Sequence, residues 1–181
     1  GDTKNLPFGD KSEAEILELT KVGVEHLFER GCILVVIACN TASSETLRTL
    51  QDTYIFSEHP DKRILGVIIP TVETIFEKKL KNALLLATKR TIESGKYEKE
   101  LFKQSISQPV LHEVAVPELV PLIEAGKLDE AVRVAKSVVD KTESAVGEVD
   151  GIILGCTHYS VLKKLLRVEY RDRKQSSLKF L

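Results

Sequence analysis

Twice in this chain a run of branched apolar residues stops at a cysteine and gives way to small polar side chains. The first is Val35–Val36–Ile37–Ala38–Cys39–Asn40–Thr41–Ala42, and the second is Gly151–Ile152–Ile153–Leu154–Gly155–Cys156–Thr157–His158–Tyr159. Continuous apolar runs of this length, bounded by turns, are the pattern of strands in a parallel sheet covered on both faces. Such sheets need helical crossovers. The rest of the chain supplies them, because strand-like runs alternate with segments of helical spacing throughout. The fold class expected is α/β, with mostly parallel sheets flanked by helices in two lobes.

In chain order, Gly1–Asp10 reads as a polar loop. Ser12 with Glu15 three residues later forms a capping box ahead of a helix that Gly31 ends. Strands are expected at 33–38, 64–69 (stopped by Pro70), 84–87, 110–115 and 151–154. Helices are expected at 44–54, 72–81, 92–104, 118–125, 128–146 and 160–167. The basic turn at 78–82 is the best boundary, giving a first lobe at 1–82, a second at 83–167 and an irregular tail at 168–181.

Composition narrows the function classes. A formal net charge of −1 gives no electrostatic reason to expect nucleic acid or an anionic membrane. Apolar runs such as Ile33–Cys39 are far too short to span a bilayer, and no signal-peptide pattern opens the chain. Three cysteines, without CxxC or a His–Cys metal spacing, fit free thiols in a reducing cytoplasm and no metal site.

Ligands of open α/β sheets bind beyond the carboxyl ends of strands, which is where Cys39 and Cys156 fall. A thiol at a helix N-terminus sees backbone N–H groups and a positive dipole end, both favouring thiolate. Asn40, Thr41 and Thr157 can hydrogen-bond a carboxylate or an amine without adding charge. His158 is a proton-transfer candidate beside Cys156. Glu113 is an acid in an otherwise apolar strand. A buried cysteine at a strand end is commonplace, and Cys32 reads as core on that ground. Packing alone, however, gives no reason for two strands to end in the same way. His26, His59 and His112 read as solvated.

These segments resemble the two signature motifs of bacterial glutamate racemase, in the aspartate/glutamate racemase family. Gly1–Asp2–Thr3 with Pro7–Phe8–Gly9 is similar to that family's GDTxxxPYG loop, with Phe8 in place of Tyr. The stretch Ala87–Thr88–Lys89–Arg90–Thr91–Ile92–Glu93–Ser94–Gly95–Lys96–Tyr97 resembles its ATxxTIxSGxY, and Leu119–Val120–Pro121–Leu122–Ile123–Glu124 its FVPLIE. The resemblance covers about residues 1–167. It implies a cofactor-independent isomerase that inverts the α-carbon of glutamate in a cleft between the lobes, supplying D-glutamate for peptidoglycan. Cys39 and Cys156 would be the acid/base pair, with Glu113 and His158 assisting near Cys156. Asp2, Pro7, Phe8, Gly9, Asn40, Thr41, Thr88, Thr91 and Thr157 would bind substrate. A homodimer is left open.

Departures from the family's pattern are specific. Its opening strand and FDSGxGG loop have no counterpart ahead of Gly1, and its continuation after the last motif is not matched by the tail. Ile69 stands where GVIEP has Glu, and Val116 where ACP has Cys. Two further readings follow: an aspartate racemase-like enzyme, or a racemase fold that binds without turnover.

Overall fold

The computed structural model describes residues 1–104, 109–170 and 178–181. After two 3-10 turns, Thr3–Asn5 and Phe8–Asp10, helix α1 runs Glu13–Glu29. The Ser12 hydroxyl accepts from the Glu15 backbone N–H while the Glu15 carboxylate accepts from the Ser12 N–H, so the expected capping box is present. Strand β1 (Leu34–Ile37) leads directly into α2 (Asn40–Thr49), which continues through a π-helical stretch, Leu50–Ile55, and a short α3, Phe56–Glu58. Strand β2 (Arg63–Gly66) precedes α4 (Ile68–Glu77).

The second half alternates in the same way. Strand β3 (Asn82–Ala87) is followed by α5 (Lys89–Glu93) and α6 (Lys96–Gln104), then β4 (Val110–Ala115). Helices α7 (Leu119–Glu124) and α8 (Leu128–Val146) lead to β5 (Gly151–Gly155). A 3-10 turn, Tyr159–Leu162, then α9 (Lys163–Glu169) and β6 (Lys179–Phe180) complete the described elements. Strands β1 and β2 form one parallel pair, and β4-β3-β5-β6 form a second, all-parallel sheet. The α/β class with parallel sheets and flanking helices is as expected.

Several local expectations are corrected. The run at 33–38 is not covered on both faces. Burial alternates along β1, leaving Leu34 and Val36 about half exposed, together with Leu65 on β2. Helix α2 starts at Asn40, because Cys39 itself caps it. Pro70 does not stop a strand; it lies in the first turn of α4, where its missing N–H costs nothing. The segment 92–104 is not one helix, since Gly95 at φ 57° breaks it between α5 and α6. Part of the tail, 171–177, lies outside the described residues. Its end is not irregular, because Lys179 and Phe180 pair in parallel with Gly151 and Ile152.

Burial is densest where helices cover the second sheet. Leu84, Leu86, Ile152 and Leu154 face α7 and α8, while Leu85 and Ile153 face α4 and α6. A third core, built on Ile16, Phe28, Val35, Ile37 and Ile64, lies under α1 and α2. No described helix is long and apolar enough to cross a membrane.

Candidate active site

Both cysteine turns open onto one cavity of about 800 Å³. Its wall takes Ala38, Cys39 and Thr41 from the first turn, and Cys156, Thr157 and His158 from the second. The loop of residues 1–10 closes one side, with Asp2, Pro7, Phe8 and Gly9 on its surface; Thr88, Lys89, Pro117, Val120, Pro121 and Glu124 supply much of the rest. A Cβ on Gly9 would stand 3.0 Å from the Thr88 Cβ, tighter than an ordinary contact, so glycine suits the close packing of the loop here.

The first turn is a helix cap. The Cys39 Sγ accepts from the Ala42 N–H at 3.5 Å, and the Cys39 carbonyl accepts from Ser43 at 2.8 Å. The thiol therefore sits directly at the N-terminus of the ten-residue α2, where the expected helix began only at Ser44. Ser43 fixes the turn from behind: its hydroxyl donates to the Ile37 carbonyl at 2.8 Å and accepts from the Val67 N–H at 3.4 Å.

The second turn differs. Cys156 follows a strand whose every residue is buried, and it leads into a tight turn rather than an α-helix. Burial pushes its thiol up to about 11, against the lowering effect of backbone hydrogen bonds from His158 and Tyr159; coupling to the neighbouring Cys39 thiol raises it further. The expectation of a thiolate-favouring position is thus corrected for Cys156, because desolvation outweighs the local N–H groups. The Tyr159 hydroxyl donates to the Val116 carbonyl at 2.7 Å and ties this turn to the segment after β4.

His158 bridges the thiol to a carboxylate. Its Nδ1 lies 3.8 Å from the Cys156 Sγ, and its Nε2 lies 2.8 Å from the Glu124 Oε1. An ionised carboxylate only accepts, so Nε2 carries the proton and Nδ1 is left to exchange one with sulfur. Sequence reasoning gave Glu124 no role. One signal was available: an acid as the last residue of a short helix opposes the helix dipole, and so calls for another reason to be there.

Three of the expected residues do not line the cavity. Asn40 and Thr91 are buried just behind it. The Asn40 Oδ1 accepts from the Tyr97 hydroxyl at 2.6 Å, while Thr91 completes a hydroxyl triangle with Thr88 (3.0 Å) and Thr41 (3.3 Å), the latter pair being 2.9 Å apart. These bonds, with the Arg90–Glu45 ion pair at 2.6 Å, lock α2 to α5 and α6 across the two sheets. Glu113 is placed elsewhere. It shares a strand face with Leu111, which packs into the core beneath α4 and α6, and burial with the nearby Glu98 pushes its carboxyl up to about 7. Its expected place beside Cys156 is corrected: Glu124 stands there instead.

Among the described residues no group of three His, Cys, Asp or Glu is placed to hold a metal. What the cavity offers is two thiols, hydroxyls at Thr41, Thr88 and Thr157, and one histidine–carboxylate pair.

Residues 9–173 match the family described as Asp/Glu/Hydantoin racemase. The glutamate racemase of Jannaschia sp. (strain CCS1) is 34% identical, over 95% of this chain and 66% of its own length. That of Corynebacterium diphtheriae is 38% identical, over 96% of this chain and 63% of its own. The solved structure of glutamate racemase isoform RacE1 from Bacillus anthracis superposes with a TM-score of 0.83 at 27% identity, covering 100% of this chain and 64% of that one. The chain thus spans just under two thirds of the length of the relatives it matches. It belongs to the Asp/Glu/Hydantoin racemase family.

Proposed function

We propose that this chain carries the two-thiol site of a glutamate racemase, inverting the α-carbon of glutamate without a cofactor. The observation that carries the reading is the meeting of Cys39 and Cys156 in one cavity, from the ends of strands in different sheets. Inversion requires a base on one face of the α-carbon and an acid on the other. In one direction a thiolate takes the α-proton, breaking C–H and forming S–H. The opposite thiol then gives its proton to the other face, and the pair is left with its roles exchanged.

The two turns suit unequal resting roles. Cys156 holds its proton at neutral pH, which fits it to donate, and Cys39, at the N-terminus of α2, is placed to act as the base in that direction. His158, held by Glu124, takes up and returns the Cys156 proton when the roles exchange. Thr41, Thr88 and Thr157 line the wall as donors for the substrate carboxylates, and the burial of Thr41 and Thr88 strengthens each bond those two make to the developing carbanion. The site lies in a cleft between the two sheets, and the D-glutamate formed would serve peptidoglycan synthesis in the cytoplasm.

The test is loss of the α-proton signal when L-glutamate or L-aspartate is incubated with the protein in deuterated water. Exchange with glutamate is expected. Cys39→Ser and Cys156→Ser should each cut turnover by at least ~10³-fold. Exchange confined to aspartate would replace the substrate, and no exchange with either would leave a fold that does not turn over. Full activity in one serine variant would eliminate the two-thiol mechanism.

A further inference from the structure

The charge around the cavity is lopsided. Asp2, Asp10 and Glu124 line it, against one lysine and no arginine among the described lining residues. That lysine is Lys89, which follows the buried Thr88 at the end of β3. A dicarboxylate approaching such a wall meets three acidic side chains, of which Glu124 is paired with His158, and Lys89 is the one lysine or arginine among the described lining residues to attract it.

Lys89 is free to supply it. Its Nζ lies 3.7 Å from the Glu93 Oε1, and both side chains are largely exposed, at 66% and 49%. An exposed ion pair four residues apart on a helix is weak and exchanges readily. The four-carbon stem lets the ammonium leave Glu93 for a ligand at the cavity mouth.

We infer that Lys89 is the charge-selecting side chain of this cavity, admitting anions and pairing with the carboxylate of a dicarboxylate substrate that points away from the thiols. The inference rests on the reading of the cavity as an amino-dicarboxylate site. Lys89 acts on entry and binding and takes no part in proton transfer. Its removal therefore raises KM and leaves kcat unchanged.

The experiment compares alkylation of Cys39 by iodoacetate, an anion, with alkylation by neutral iodoacetamide. Site-resolved mass spectrometry follows each cysteine separately. In Lys89→Gln the iodoacetate-to-iodoacetamide rate ratio at Cys39 is expected to fall about three- to tenfold, and Lys89→Arg should restore it. The difference should collapse in 0.5 M NaCl, where the screening length is ~4 Å. Cys32 does not line the cavity and serves as the internal control, with an unchanged ratio. An unaltered ratio at Cys39 in Lys89→Gln overturns the inference. A shifted ratio in a protein that exchanges no glutamate α-proton would sink the substrate reading and leave Lys89 as the anion selector of the cavity.

Discussion

The two cysteine turns share a sequence pattern and have different surroundings. Cys39 ends a strand of a two-stranded sheet, where only one face is covered and Val36 is 56% exposed. Cys156 ends β5, which lies between β3 and β6 and is buried along its whole length. The first turn hands its thiol to a helix N-terminus; the second hands its buried thiol to a tight turn with a histidine beside it. One motif thus yields two thiols in different surroundings, and the raised proton affinity of Cys156 is set by what covers its strand rather than by the residues that follow it.

The largest test of that contrast is mechanical. Ile153, 1% exposed on β5, and Val36 on β1 occupy equivalent mid-strand places in the two sheets. Ile153→Ala should cost about 3 kcal/mol, through lost burial and the cavity left behind. Val36→Ala should cost less than about 0.5 kcal/mol, because little is packed on that face. Urea midpoints of the two variants measure the gap, and equal losses would mean that the open face of β1 is covered in solution.

The next test is chemical. Iodoacetamide attacks thiolate, so the partly exposed Cys39 should react before the buried Cys156 at pH 8. Cys156, held up at about 11, should react roughly a hundredfold faster at pH 10 than at pH 8, ten times for each pH unit. A flat rate at Cys156 over that range would show that burial does not hold its proton there.

A smaller effect is expected from Glu124→Gln. The amide oxygen still accepts from the His158 Nε2, so geometry is kept while the charge is lost. Turnover should fall about tenfold, with KM unchanged and with the pH dependence displaced, since the imidazolium loses its counter-charge. A change in KM alone would make Glu124 a substrate contact instead of a positioning residue for His158.

Much of this contrast could not be read from the sequence. The apolar runs located both strands and both thiols, since a continuous β-branched run stopped by a turn has few other outcomes. Whether a run is covered on one face or two depends on what packs there, and residues 33–38 read the same in either case. Period two along β4 assigns Glu113 to one face or the other, but the identity of the face turned to the site is set by the sheet order β4-β3-β5. Glu124 reaches His158 across 34 residues of chain, a pairing that no local pattern encodes. Cys39 as a helix cap was obscured because cysteine is not among the residues that usually fill that position.

Glu113 gives the smallest effect and the sharpest boundary of the site. It pairs in register with Leu85, on the sheet that carries the second turn, but it does not line the cavity. Burial first, and Glu98 second, raise its carboxyl from the ordinary range to about 7. An unfolded chain releases that proton near pH 4.3, as an unperturbed glutamate does. Below that pH both states hold the proton and the stability is fully present. Between about 4.3 and 7 only the folded state holds it, so stability is lost as pH rises through that window. Glu113→Gln removes the loss and should therefore be more stable than the parent at pH 8 and indistinguishable from it at pH 4. Because the side chain is only partly buried, solvent screening keeps the gain below about 1 kcal/mol, a rise in Tm of no more than about 4 °C for a chain of this size. Glutamate α-proton exchange should stay within about twofold of the parent, since nothing at Cys156 depends on this carboxylate. A tenfold fall in exchange, with the stability change as described, would return Glu113 to the second turn and leave the His158–Glu124 pair insufficient to serve it.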